Sequence, residues 1–189
     1  MSKKNKPYRL PKGRALMLRT CDNDMCGHGG FAWPDAGLVK APDWNPEPSC
    51  GGGLHGLLWG DGDASQLKHE DATRRWLVCE VVASEVVQIQ RKVKVPRAWV
   101  VYVGDRDGAI AMLQAHAPVG TAIVFAEATA GYAGTATAGE GGTLSVRWWD
   151  GDASRYRIAS ADVGERETCK PGVAYVVRDG KLVRKDGQS

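Results

Sequence analysis

Residues 121–146 read TAIVFAEATAGYAGTATAGEGGTLSV and repeat a pattern every eight residues. A hydroxyl residue marks each step, at Thr121, Thr129, Thr137 and Ser145, and a small apolar residue follows each of them. Small residues with glycine corners are typical of a β-solenoid, whose coils turn tightly and stack closely. Because about three repeats are needed for such a stack to be stable alone, we expect this one to pack against a larger domain.

The remaining sequence predicts an α+β fold with mostly antiparallel strands. Alternating or continuous apolar patterns indicate strands in the head at 14–20, 76–82, 86–89, 91–97 and 99–103. Two short helices are expected, one within 61–75 and one from Asp105 to His116. The C-terminal part predicts a β-meander with a tight hairpin at Asp179-Gly180.

These patterns divide the chain into three parts. Residues 1–13 are expected to form a disordered basic arm, residues 14–118 an α+β head domain, and residues 119–189 an octad-repeat and β-meander module packed on the head. The first fourteen residues hold six basic residues and no acidic one, so the net charge of +3 comes from the arm. No membrane span or signal peptide is evident, which predicts a cytoplasmic protein with reduced cysteines.

The densest group of chemically useful residues is Cys50-Gly-Gly-Gly-Leu-His55-Gly-Leu-Leu-Trp59-Gly60. Three glycines allow a sharp turn before His55, across which Cys50 and His55 can meet as a metal corner or as a nucleophile and base. The alternative is a purely structural turn in which His55 bonds a buried carbonyl. Four-residue gaps in Cys21/Cys26 and Cys50/His55 leave zinc as an alternative, although no metal site is assigned.

Two surfaces are candidates for binding. The loop-rich stretch 21–60 carries large rings, and we expect Trp33, Trp44 and Trp59, with Gly53, to line a ligand or partner surface. Lys92, Lys94 and Arg97 alternate with apolar residues and indicate a basic stripe that, with the arm, would contact nucleic acid.

Two resemblances follow from these motifs. The octads TAGYAGTA and TAGEGGTL resemble the octapeptide repeats of bacterial ice-nucleation proteins, which implies a β-solenoid with threonine ladders that template ice. Only residues 121–146 carry this resemblance, too few for an extended flat face, so ice templating is not expected of this chain. The head motif CGGGLHGLLWG, with APDWNP and KVKVPR, resembles a family of bacterial and phage proteins that supplies a lineage and no activity.

A third resemblance is to small ADP-ribosyltransferase-like folds. Gly52 and His55, followed by a helix and a strand, match their order of elements, which implies that Arg19 grips a nicotinamide dinucleotide and that Glu167 is the catalytic glutamate. The serine-threonine-serine strand of that family is missing, which puts the likeness in doubt.

The sequence therefore favours a cytoplasmic binding or interaction protein of bacterial or phage type with a Trp-rich surface. The alternatives are an NAD-using transferase with Cys50, His55, Arg19 and Glu167 in its pocket, and a nucleic-acid-binding protein. No cofactor is assigned, with NAD and zinc as alternatives. The partner is expected to be a small molecule or a protein, with nucleic acid as a further candidate and no membrane.

Overall fold

The computed structural model describes residues 8–68 and 71–187, and this part of the chain forms twelve strands and one α-helix. The helix, α1, spans Arg106–Gln114. The strands are β1 Arg14–Cys21, β2 Gly37–Lys40, β3 Leu54–Leu58, β4 Arg75–Val82, β5 Val87–Ile89, β6 Lys92–Val95, β7 Arg97–Gly104, β8 Glu127–Ala130, β9 Thr143–Asp150, β10 Arg155–Asp162, β11 Tyr175–Arg178 and β12 Lys181–Arg184.

The head is a seven-stranded antiparallel sheet in the order β2-β7-β4-β1-β3-β6-β5. Its central strand β1 pairs with β4 along its whole length, from Arg14 opposite Val82 to Cys21 opposite Arg75. Both faces of β1 are buried: Met17 packs in one cluster and Leu18 in the other. A strand covered on both faces needs apolar residues at nearly every position, which explains the run RALMLRTC.

The two faces of the head sheet have different covers. Irregular segments that include Trp33 pack over the Met17 face. Helix α1 covers the Leu18 face through Ala109 and Leu113. The start of the octad stretch joins this second cluster, with Val124 fully buried and its amide donating to the Gly60 carbonyl over 3.0 Å. The octads therefore share the core of the head.

One of the two predicted helices forms and the other is much shorter. Asp105 caps α1, since its carboxylate accepts from the Gly108 amide at 2.8 Å. Among the described residues of the expected helix at 61–75, the one helical turn is a 3₁₀ turn over Ala64–Leu67, capped by Asp63. Lys68 ends this turn in the left-handed region, φ 47°, so the helix does not continue.

The end of the expected disordered arm is packed on the head. The Tyr8 hydroxyl donates to the Glu80 carboxylate over 2.7 Å, and its ring meets the His116 ring edge-on at 5.2 Å. Burial first, and the Glu80 carboxylate second, raise the pKa of Tyr8. Residues 8–13 therefore differ from the predicted disorder, and residues 1–7 of the predicted arm lie outside the described residues.

The C-terminal module contains a three-stranded sheet in the order β10-β9-β8 and the hairpin β11-β12. They enclose a small third cluster around Leu144, Val146 and Tyr175. The hairpin turns at Asp179 and Gly180, with φ of 50° and 76°, as expected for an Asp-Gly turn. The predicted class, a mostly antiparallel α+β fold with a short solenoid-like module, is confirmed. Within the described ranges, no helix has the length and hydropathy of a membrane span.

Candidate functional surface

Cys50 and His55 lie on either side of a glycine turn whose geometry only glycine tolerates well. Gly52 and Gly53 have φ of 56° and 150°, and a Cβ on Gly52 would lie 2.9 Å from the Asp43 carbonyl oxygen. Cys50 is exposed, and its Sγ lies 3.5 Å from the Lys92 ammonium. The predicted sharp turn is present, and what contacts Cys50 across it is a lysine.

Arg19 lies on the other face of the sheet from His55. Arg19 stacks over the Trp33 ring at 3.8 Å, in the Met17 cluster, and reaches only the main-chain carbonyl of His55, at 3.4 Å. His55 is the register partner of Lys94, and both side chains lie on the face of the sheet opposite to Arg19. Burial lowers the pKa of Arg19 and raises that of Cys79 to about 12.

His55 gives the head a defined dependence on pH. Burial lowers the pKa of His55, and the nearby charges of Lys92, Lys94 and Arg19 lower it further. The unfolded chain therefore binds a proton at His55 more readily than the folded chain does, so His55 destabilises the fold as pH falls below the ordinary histidine pKa of about 6.5.

We expect His55→Gln to flatten the decline of the free energy of unfolding just below that pH, measured by urea titration at stepped pH. The exposed His28, changed to Gln, serves as the control that keeps the wild-type slope; an identical slope in both variants would contradict the prediction.

The three residues of the predicted basic stripe do not share one exposed surface. Lys94 is fully buried, and its ammonium donates to the carbonyls of Ser49 and Gly51 at 2.9 and 3.0 Å. Arg97 forms a two-pronged ion pair with Glu85. Lys94 thus holds the 43–53 loop onto the sheet, with its ammonium 5.9 Å from the centre of the Trp44 ring.

The tryptophans that were predicted to line a binding surface pack largely inside the head. Trp33 is 4% exposed, and Trp59 packs between both head clusters with φ of 57°. Glu167 lies elsewhere, in an open cleft of about 620 Å³ lined mainly by residues 140–142 and 162–167, which include none of Cys50, His55 or Arg19. Among the described residues, no three histidine, cysteine or acidic side chains are grouped as metal ligands.

The octads form one coil of a solenoid. Strands β8 and β9 pair in parallel with Glu127 opposite Thr143 and Thr129 opposite Ser145, an offset of sixteen residues or two octads. On the other side of the coil the Gly139 amide donates to the Ile123 carbonyl at 3.0 Å. The residues after each hydroxyl point inward, where Ala138 and Val146 are buried. Two octads therefore make each turn of the coil.

The outer face of the β8-β9-β10 sheet, which we call the hydroxyl face, is not among the surfaces predicted from the sequence. Its central row joins the partners Thr129, Ser145 and Ser160, and the Ser145 and Ser160 hydroxyl oxygens lie 3.0 Å apart. A second row places Thr143 beside Asp162, to which its hydroxyl donates at 3.2 Å. Alternation in 143–150 and 155–162 is the sequence signal for this face.

An exposed aromatic cluster borders the hydroxyl face. Tyr156 meets Trp149 and Tyr132 edge-on, with ring centroids 5.0 and 5.9 Å apart, and Arg147 lies over Tyr156 at 5.6 Å. Trp149 is 45% exposed and Tyr132 is 63% exposed. The sequence predicted an exposed aromatic surface at Trp33, Trp44 and Trp59. In the structure, this cluster in the C-terminal module is exposed instead.

The chain is similar to several ice nucleation proteins. It is 43% identical over 109 residues to one from Xanthomonas campestris pv. translucens, a match covering 56% of this chain and 7% of that protein. It is 41% identical over 110 residues to InaU of Pantoea ananas, covering 57% and 10%, and 46% identical over 96 residues to one from Pseudomonas syringae, covering 49% and 8%. The chain thus spans a tenth or less of these relatives. No family profile and no solved structure matches it.

These comparisons support the ice-nucleation-type octapeptide resemblance and correct several predictions. The resemblance extends over 96 to 110 residues, beyond the 121–146 stretch. The predicted function, a binding protein of phage type with transferase or nucleic-acid alternatives, is wrong, because the relatives found are ice nucleation proteins. The same finding overturns the cytoplasmic location. The phage and ADP-ribosyltransferase likenesses receive no support from any of these relatives.

Proposed function

We propose that this chain is an ice-nucleation-type module whose hydroxyl face orders water. The carrying observation is the row Thr129–Ser145–Ser160, in which hydroxyls on three paired strands are held outward by a packed coil. Neighbouring strands lie 4.7–4.9 Å apart, so this row extends about 10 Å across the sheet. Hydroxyl groups fixed at a regular spacing hold water molecules in a regular pattern, which is what a forming ice crystal requires.

Similarity to ice nucleation proteins supports the same assignment, because it covers about half of the chain. The buried residues on either side of Ser145 give the centre of the face its rigidity. Leu144 and Val146 are fully buried directly beside Ser145, so the strand cannot rotate its hydroxyls away from the surface. A rigid face needs no reordering when water binds, which limits the entropy cost of ordering water.

Droplet freezing tests this proposal. Droplets with the folded protein are expected to freeze at a higher temperature than droplets with the same mass of heat-unfolded protein. The triple variant Thr129→Val, Ser145→Ala, Ser160→Ala removes the row and should return freezing to the unfolded-protein temperature. Thr168→Val removes an exposed hydroxyl outside the sheet and should leave freezing unchanged. Equal freezing temperatures for folded and unfolded protein would exclude the function.

A further inference from the structure

Cys50 and Lys92 form a pair of reactive side chains in direct contact on the surface of the head. The Cys50 Sγ lies 3.5 Å from the Lys92 ammonium, although the two residues are 42 apart in the chain. Cys50 is exposed, so dissolved reagents reach its sulfur, and Lys92 is partly exposed. The pair lies outside the hydroxyl face, so an inference about its chemistry does not rest on the proposed ordering of water.

Separate contacts hold the two members of this pair in place. The carbonyls on either side of the cysteine, those of Ser49 and Gly51, accept from the buried Lys94 ammonium at 2.9 and 3.0 Å. The Lys92 ammonium also donates to the Gln66 side-chain oxygen at 3.1 Å. The backbone that carries the thiol and the nitrogen that faces it are therefore each positioned by neighbours, which favours a reaction between them.

We propose that this pair is a peroxide-responsive modification site, at which Cys50 and Lys92 become joined by a sulfur–nitrogen bond. Hydrogen peroxide oxidises an accessible thiol to a sulfenic acid, and a sulfenic acid condenses with a thiol or a nitrogen beside it. Three of the other cysteines, Cys21, Cys79 and Cys169, are fully buried, so they do not compete for an exposed sulfur. The nucleophile in contact with Cys50 is the nitrogen of Lys92.

The reaction needs one molecule of hydrogen peroxide and no other reactant. In the first step the Cys50 sulfur, after losing its proton, attacks a peroxide oxygen. A sulfur–oxygen bond forms, the oxygen–oxygen bond breaks and the departing hydroxide becomes water, so sulfur is oxidised and peroxide is reduced. In the second step the Lys92 amine, after losing a proton to solvent, attacks that sulfur. A sulfur–nitrogen bond forms, the sulfur–oxygen bond breaks, and the hydroxide leaves with a nitrogen proton as water.

The bond would fasten the 43–53 loop to strand β6. Hydrogen bonds from Lys94 hold this loop on the sheet, and a covalent link between residues 42 apart adds a constraint on the unfolded chain. A thiol reductant attacks the sulfur of such a bond and releases the lysine, so the link is reversible.

Peptide mass spectrometry of the full chain tests this site after treatment with hydrogen peroxide. Trypsin does not cleave after a modified lysine, so peptide 41–68 is expected to appear linked to peptide 92–94. The linked species should be lighter than the two peptides together by two hydrogen atoms, and dithiothreitol should separate it. Lys92→Arg keeps a positive charge beside the thiol but is not nucleophilic, so it should lower the linked species by roughly tenfold or more.

Cys26 provides a control within the same sample. It is a partly exposed thiol whose Sγ lies 3.7 Å from the Asp24 carbonyl oxygen, and it should give a sulfenic acid that dimedone captures, with no lysine-linked peptide. Absence of the 41–68/92–94 species from peroxide-treated wild type, whatever oxidised form Cys50 then takes, would overturn the proposal. Linkage of peptide 41–68 to other lysines in equal amount would overturn it as well.

Discussion

Leu144→Ala is expected to lower the free energy of unfolding by about 2–5 kcal/mol, because it empties the centre of the C-terminal cluster. Leu144 is fully buried on the middle strand β9, between the register partners Ala128 and Ala161. Both partners are alanines, so neither register partner can fill the cavity from its neighbouring strand. Denaturant titration followed by far-UV circular dichroism measures this loss.

The matched control for this change is Leu38→Ala. Leu38 is 48% exposed on the edge strand β2, so its truncation should change the free energy of unfolding by well under 1 kcal/mol. Similar losses for the two variants would mean that the coil contributes no core of its own. The hydroxyl face would then lack the rigid support on which its proposed function depends.

Gly142→Ala is expected to cost about 1–3 kcal/mol through crowding between the two layers of the coil. A Cβ on Gly142 would lie 2.6 Å from the Ala126 carbonyl oxygen and 3.1 Å from the Ala138 Cβ. The backbone cannot move away, because the Gly142 carbonyl accepts from the Val163 amide at 2.8 Å. Thermal unfolding with urea titration at 25 °C would measure the loss.

Gly131→Ala is the control, since Gly131 also lies in an octad, the preceding one, but has open space around its Cα. It should be neutral or slightly stabilising, because alanine narrows the unfolded ensemble. If Gly142→Ala were equally neutral, close stacking would not explain the octad glycines. The contrast matters for function because strand spacing fixes the spacing of the hydroxyl rows.

Much of the architecture was predictable from local patterns. Apolar runs located β1, β4 and β7, Asp105 marked the start of α1, and Asp179-Gly180 marked the last hairpin. These features depend on residues near in sequence, through strand alternation, helix capping and turn geometry. The helix predicted within 61–75 is shortened to one turn because Lys68 adopts a left-handed conformation. Lysine has no special preference for that conformation, so the sequence does not predict where the turn ends.

The candidate site was much less predictable. Cys50 and His55 were predicted as site residues because their side chains are reactive. In the structure their neighbours are Lys92 and Lys94, which come from a strand distant in sequence. Lys94 looked like a surface charge and is fully buried, because two carbonyls of the 43–53 loop surround its ammonium. Such pairings depend on which strands become neighbours, and one sequence does not state that.

The sequence by itself determined the octad spacing, the small inward residues and the glycine corners, because a tightly stacked coil needs small residues where its layers approach closely. Tertiary structure alone decided that two octads close one turn and that Ser160, from outside the repeat, completes the row begun by Thr129 and Ser145. It also left β10 as an open edge. Strand order and coil closure depend on contacts between residues far apart in the chain, which local periodicity does not encode.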